Sequence, residues 1–160
     1  MIPVSVIVMT RDEEANIRAC LQALRRFDEV FVVDSDSGDG TADEALTAAA
    51  RSLRPEGLTV RRSPALPPGW AGKVWAMRTG LEAARELVPD AVYVLFTDAD
   101  IDHPLAELRR LAARSEAERL DLNSSMVRLH CETLAERATM PAFVYFFRML
   151  YPFRWVDDPG

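Results

Sequence analysis

The strongest constraint on this chain is a pattern that repeats four times: a short apolar, β-branched run, then a segment with apolar residues at helical spacing. Val4 to Met9, Val30 to Val33, Leu58 to Arg62 and Ala91 to Phe96 read as strands. Asp12 to Arg26, Thr41 to Arg51, Lys73 to Leu87 and Pro104 to Arg114 read as helices. Continuous apolar strands belong to sheets covered on both faces, and successive βα units imply an α/β fold with a parallel sheet and flanking helices. Within the third helix, Val74, Met77, Leu81, Ala84 and Val88 form one stripe, expected to pack on the sheet.

At 160 residues, 49% hydrophobic, the chain has the length of one compact domain with a real core. Acidic residues outnumber basic ones, 25 to 19, and the basic ones are scattered, which argues against a nucleic-acid partner. The opening Met1-Ile2-Pro3-Val4 has no basic leader or cleavage site, so a cytoplasmic location is expected. No run reaches the roughly 20 apolar residues that cross a bilayer. Cys20 and Cys131 show neither metal-site spacing nor the density of a disulfide scaffold, and both are expected to be reduced. The stretch Ser63-Pro64-Ala65-Leu66-Pro67-Pro68-Gly69 reads as a loop inside a domain.

Ligands of open parallel sheets bind beyond the carboxyl ends of the strands, and there this sequence is polar. Strand one is followed by Thr10-Arg11-Asp12-Glu13, strand two by Asp34-Ser35-Asp36-Ser37-Gly38-Asp39-Gly40-Thr41, and strand four by Thr97-Asp98-Ala99-Asp100. In an extended segment Asp98 and Asp100 project to the same side, where two hard carboxylates suit Mg²⁺ or Mn²⁺ completed by water and substrate phosphates. Such a metal neutralises charge on a departing diphosphate, and no side-chain nucleophile is needed when an acceptor hydroxyl attacks directly. Asp34 is placed to accept hydrogen bonds from a base N–H or a ribose hydroxyl. For Asp36, Ser37 and Thr41 the preferred reading is local: Asx-type turns, with Asp39 or Thr41 capping the next helix. Lys73, after Gly72 at a helix start, combines backbone N–H groups with an ammonium suited to phosphate. The two histidines, His103 and His130, are expected to be structural or solvent-facing.

Taken in order, Val6 to Glu13, Val32 to Thr41 and Thr97 to Asp100 resemble the successive blocks of family 2 glycosyltransferases. The segments Leu66 to Lys73, Pro141 to Phe147 and Tyr151 to Val156 resemble those of the hopanoid-biosynthesis-associated members. The resemblance implies a GT-A (Rossmann-like) fold, a nucleotide-diphosphate sugar donor, Mn²⁺ or Mg²⁺, and inversion at the anomeric carbon. It implies that Thr10, Glu13 and Asp34 line the nucleoside site, Lys73 approaches the diphosphate, and Asp98 with Asp100 forms the metal motif, Asp98 also toward ribose. The family pattern has glycine where this chain has Asp36, so a reshaped loop is expected there.

Family members continue into a half that supplies a catalytic-base carboxylate, and nothing after Asp100 matches it. Asp157 and Asp158 read as part of a turn. The expectation is therefore a donor-binding portion, residues 1–139, incomplete at its C-terminus, with an aromatic-rich tail over residues 140–160. That tail holds Phe143, Tyr145, Phe146, Phe147, Tyr151, Phe153 and Trp155, seven of thirteen aromatics. It would pack against a C-terminal half or, with Arg148 and Arg154 at headgroups, lie on a membrane at its inner, cytoplasmic face and meet a lipid or polyprenoid acceptor. The alternative function is a nucleotide-sugar-binding fragment that does not turn over. A receiver-like signalling domain fits worse, because strand three ends in Arg61-Arg62-Ser63 without a carboxylate. A nucleotidyltransferase would carry a Gly-rich basic loop after strand one, and Thr10-Arg11-Asp12-Glu13-Glu14 has none.

Overall fold

The structure is a computed structural model, and it describes residues 4–25, 27, 29–51 and 57–152. The chain divides into two compact units, Met1–Ser124 and Ser125–Gly160.

The first unit is built on β1 (Val4–Thr10), β2 (Glu29–Asp34), β3 (Leu58–Arg62) and β4 (Tyr93–Asp98), all parallel, in the order β3-β2-β1-β4. The helices are α1 (Glu14–Leu24), α2 (Thr41–Ala50), α3 (Gly72–Leu87) and α4 (Leu105–Glu118). The α/β parallel sheet expected from the sequence is therefore present. Alternating residues of β1 and β2 feed two cores, as the two-residue period of a strand requires. Val6, Val8, Val30 and Val32 pack with Ile17, Cys20, Leu21 and Leu24 of α1 and Ala45 of α2. On the other face Ile7, Met9, Phe31 and Val33 pack with Ala76, Ala83 and Ala84 of α3.

Two local readings need correction. In α3 the expected Met77, Leu81, Ala84 and Val88 do pack on the sheet core, but Val74 is half exposed, and the small residues Ala76, Gly80 and Ala83 complete the buried face. Small residues win there because α3 lies so close that a methyl on Gly80 would stand 2.4 Å from Cγ2 of Ile7. β4 runs two residues further than expected, to Asp98, because Thr97 and Asp98 pair with Val8 and Met9 of β1. The ladder overrides the weak strand preference of Asp98.

The second unit contains α5 (Leu134–Leu150), opened by a capping box between Thr133 and Glu136 and running through Pro141. It buries none of its residues. Phe143, Phe147 and Tyr151 form a stripe with ring centroids 6.5 and 5.0 Å apart. No helix among the described residues is long and apolar enough to cross a membrane. Phe153, Arg154, Trp155, Asp157 and Asp158 lie outside the described residues.

Candidate donor site at the carboxyl end of the sheet

The strand order reverses at β1: the chain moves outward through β2 and β3, then returns to place β4 on the other side. Loops on either side of such a reversal part and leave a crevice beyond the carboxyl ends. The register aligns the polar residues along this edge, with Arg62 beside Asp34, Asp34 beside Thr10, and Met9 beside Asp98. Asp34 and Asp98 are thus two strand spacings apart, roughly 10 Å.

Lys73 of α3 reaches this edge. Its Nζ lies 2.6 Å from Oδ2 of Asp98, and both side chains are substantially exposed. α3 begins at Gly72 with no side-chain cap and no acidic residue in its first turn, so its leading N–H groups are available to an anion. Beyond Asp98 the backbone turns rather than staying extended, which corrects the geometry assumed for the Asp98–Asp100 pair. Asp98 reaches toward α3, whereas exposed Asp100 is felt by Cys20 of α1. The Cys20 thiol is pushed up to about 11, first by burial and then by the negative charge of Asp100 and Glu13. Cys20 therefore stays a protonated core residue.

The nucleoside candidates prove more enclosed than the sequence suggested. Thr10 is buried, and its hydroxyl donates to the Val33 carbonyl at 3.3 Å. Asp34 is 1% exposed. Its Oδ1 accepts the Ser37 hydroxyl at 2.5 Å, and its Oδ2 accepts the Ser37 N–H at 3.4 Å and faces Arg62 Nε at 3.7 Å. Glu13 accepts from Asn16 at 2.8 Å, while its N–H donates to the Thr41 hydroxyl at 2.8 Å.

That last bond belongs to a clasp between the β1–α1 and β2–α2 loops. The Asp12 N–H donates to Ser37 Oγ at 3.0 Å, and the Gly38 N–H returns to Asp12 Oδ1 at 2.8 Å. The Glu14 N–H donates to Asp39 at 3.1 Å. Asp39 also accepts from the Thr41 N–H at 3.0 Å and from its hydroxyl, the Asx-type turn expected there. These bonds hold the Asp39 carboxyl below its usual range, that from the Thr41 hydroxyl most of all. Asp36 takes φ 61°, the left-handed conformation that glycine adopts freely and that aspartate tolerates.

Sequence reasoning missed Ser37 as the partner that covers Asp34, and Arg62 as its counter-ion. Arg62 follows from strand register, which no local signal encodes, whereas Ser37 makes a local turn on Asp34 three residues earlier. It also missed a cluster beside the loop from Ser63 to Ala71. Trp70 and Trp75 meet edge to face at 5.2 Å, Arg78 lies 5.2 and 5.7 Å from their rings, and Trp75 Nε1 donates to the Pro64 carbonyl at 3.0 Å. These contacts anchor the loop that leads into Lys73, with Gly69 supplying a turn at φ 83°. His103 is half-buried and bonded to the Thr97 hydroxyl at 2.5 Å; burial lowers its pKa despite the nearby charge of Asp102. A groove of about 510 Å³ between α1 and α2, with Val30 and Leu58 in its lining, lies at the opposite end of the strands and holds none of these residues.

Residues 5–156 match the family model for glycosyl transferase family 2. The chain belongs to the family 2 glycosyltransferases. A search among curated proteins finds no match. For a family 2 glycosyltransferase, a parallel four-stranded sheet between helices is consistent with the GT-A fold. Among the described residues no three His, Cys, Asp or Glu side chains gather as a ready-made metal cage. Two exposed carboxylates near a lysine and an open helix start still fit Mg²⁺ or Mn²⁺, which takes few protein ligands and fills its shell with water and phosphate oxygens.

Proposed function

We propose that this family 2 glycosyltransferase binds a nucleotide-diphosphate sugar at the carboxyl end of its sheet, for inverting transfer to a lipid-type acceptor. The supporting observation is the contact of Lys73 with Asp98 at the uncapped start of α3, beside the strand reversal. There Lys73 and the leading N–H groups of α3 hold the diphosphate. Asp98 and Asp100 hold Mn²⁺ or Mg²⁺, which supplies charge neutralisation for the leaving diphosphate. Asp98 also stands toward the ribose. Thr10, Glu13 and Asp34 form the nucleoside end. Asp34 meets its ligand once the Ser37 hydroxyl gives way, since that hydroxyl occupies the carboxylate now.

The acceptor reading rests on α5, whose Phe143, Tyr145, Phe146, Met149 and Leu150, with Tyr151 just after it, are all more than half exposed. A helix of this kind gains most by lying in the interface of a bilayer, at the cytoplasmic face where a hopanoid or polyprenoid acceptor is met. The second reading, binding without turnover, is favoured by the lack of an assigned general base. A base typically contributes about 10² to 10⁴-fold. Release of nucleotide diphosphate, measured with and without lipid acceptor, separates the two. Rapid acceptor-dependent release supports the transferase, and Mn²⁺-dependent donor binding without release supports the binding module. Donor binding that ignores both Mn²⁺ and Asp100→Ala would remove the metal assignment from either.

A further inference from the structure

Lys73 sits in the first turn of α3, where the positive end of the helix dipole disfavours a cation. It is held there by Asp98, at 2.6 Å across a separation of 25 residues. The side chains are 60% and 41% exposed. An ion pair this open to water changes an equilibrium by no more than about fivefold, so it exchanges partners readily. The bond has a cost for the site, because the ammonium neutralises one of the two carboxylates offered to a dication. It also stands where a second positive charge would be repelled.

We propose that Lys73 is an exchangeable counter-ion, which occupies Asp98 while the site is empty and passes to the diphosphate when metal and donor bind together. The inference rests on the donor-site reading above and deepens it by setting the order of loading. With Lys73 on Asp98, metal alone meets a half-neutralised pair. Diphosphate draws the ammonium away and frees Asp98, so each ligand raises the affinity for the other, reciprocally.

The test uses the whole chain with Mn²⁺ and inorganic pyrophosphate as probes, read by electron paramagnetic resonance of free Mn²⁺ and by calorimetry. Lys73→Gln should bind Mn²⁺ alone about three- to tenfold tighter than wild type, because both the competing charge and the repulsion are gone. In saturating Mn²⁺ the same variant should bind pyrophosphate about tenfold more weakly, and the cooperativity between the two probes should fall to what direct coordination of Mn²⁺ by pyrophosphate supplies. Lys73→Arg, which keeps the charge, should keep the wild-type cooperativity. If Lys73→Gln binds Mn²⁺ no tighter than wild type while Asp100→Ala still abolishes that binding, the exchange is overturned and the donor site stands. If neither wild type nor Lys73→Gln binds Mn²⁺, or if binding is indifferent to Asp100→Ala, the exchange and the donor-site reading fall together.

Discussion

Replacing Gly80 by alanine measures how closely α3 is laid on the sheet. The added methyl would stand 2.4 Å from Cγ2 of Ile7 and 3.0 Å from Cγ2 of Val33, against ordinary carbon contacts of about 3.5 to 4.0 Å. Ile7 and Val33 are fully buried in the two central strands, so neither can swing aside. Helix and sheet must instead part by about 1 Å. Overpacking of this kind costs about 1–3 kcal/mol, while alanine's better helix propensity returns about 1 kcal/mol. The expected net loss is about 1 kcal/mol and at most about 2, or a fall in Tm of roughly 2–8 °C. Urea unfolding followed by the fluorescence of Trp70 and Trp75, which pack on each other beside α3, should show a lower midpoint at unchanged slope. In an Ile7→Ala background only the 3.0 Å approach to Val33 remains, and the same substitution should cost less than it does in the otherwise wild-type chain. Stabilisation by Gly80→Ala in the otherwise wild-type chain would refute the close approach. Because Lys73 lies about two turns earlier on the same helix, the variant should also weaken pyrophosphate binding in Mn²⁺.

Asp100→Ala should leave the melting temperature within about 2 °C of wild type, since the residue is exposed, yet remove the Mn²⁺-dependent part of donor affinity in calorimetry. Asp36→Val should cost about 1–2 kcal/mol in thermal melts, because a β-branched residue is strained at φ 61°, whereas Asp36→Gly should be tolerated. Burial lowers the His103 pKa, so the unfolded chain binds the extra proton first; its contribution is complete above pH 6.5 and is lost as pH falls below that value. Urea midpoints at about pH 7.5 and about pH 5.5 should therefore differ more for wild type than for His103→Gln, and equal differences would contradict the assignment. Exposed aromatic residues on α5 should carry the chain into the lipid fraction in liposome flotation, and replacing Phe143, Phe146 and Tyr145 with serine should abolish it.

Much of the frame was legible because it depends on local periodicity. Four apolar runs alternating with helical stripes admit little besides a parallel α/β sheet, and polar residues after such strands must gather at one end of it. Asp34, Asp98 and Asp100 could be selected from the sequence for that reason alone, and Lys73 from its place at a helix start. What these residues touch was decided by tertiary structure. The register of β2 with β3 brings Arg62 to Asp34, and the clasp between two loops turns Ser37 into its cover. The crossing of α3 over the sheet, allowed by Ala76, Gly80, Ala83 and Ala84, puts Lys73 on Asp98. Sequence patterns record which side chains prefer to be buried, so they identify strands, helices and the edge where ligands bind. Register, loop clasps and interhelical approach are set by contacts between residues distant along the chain, and no local preference encodes them.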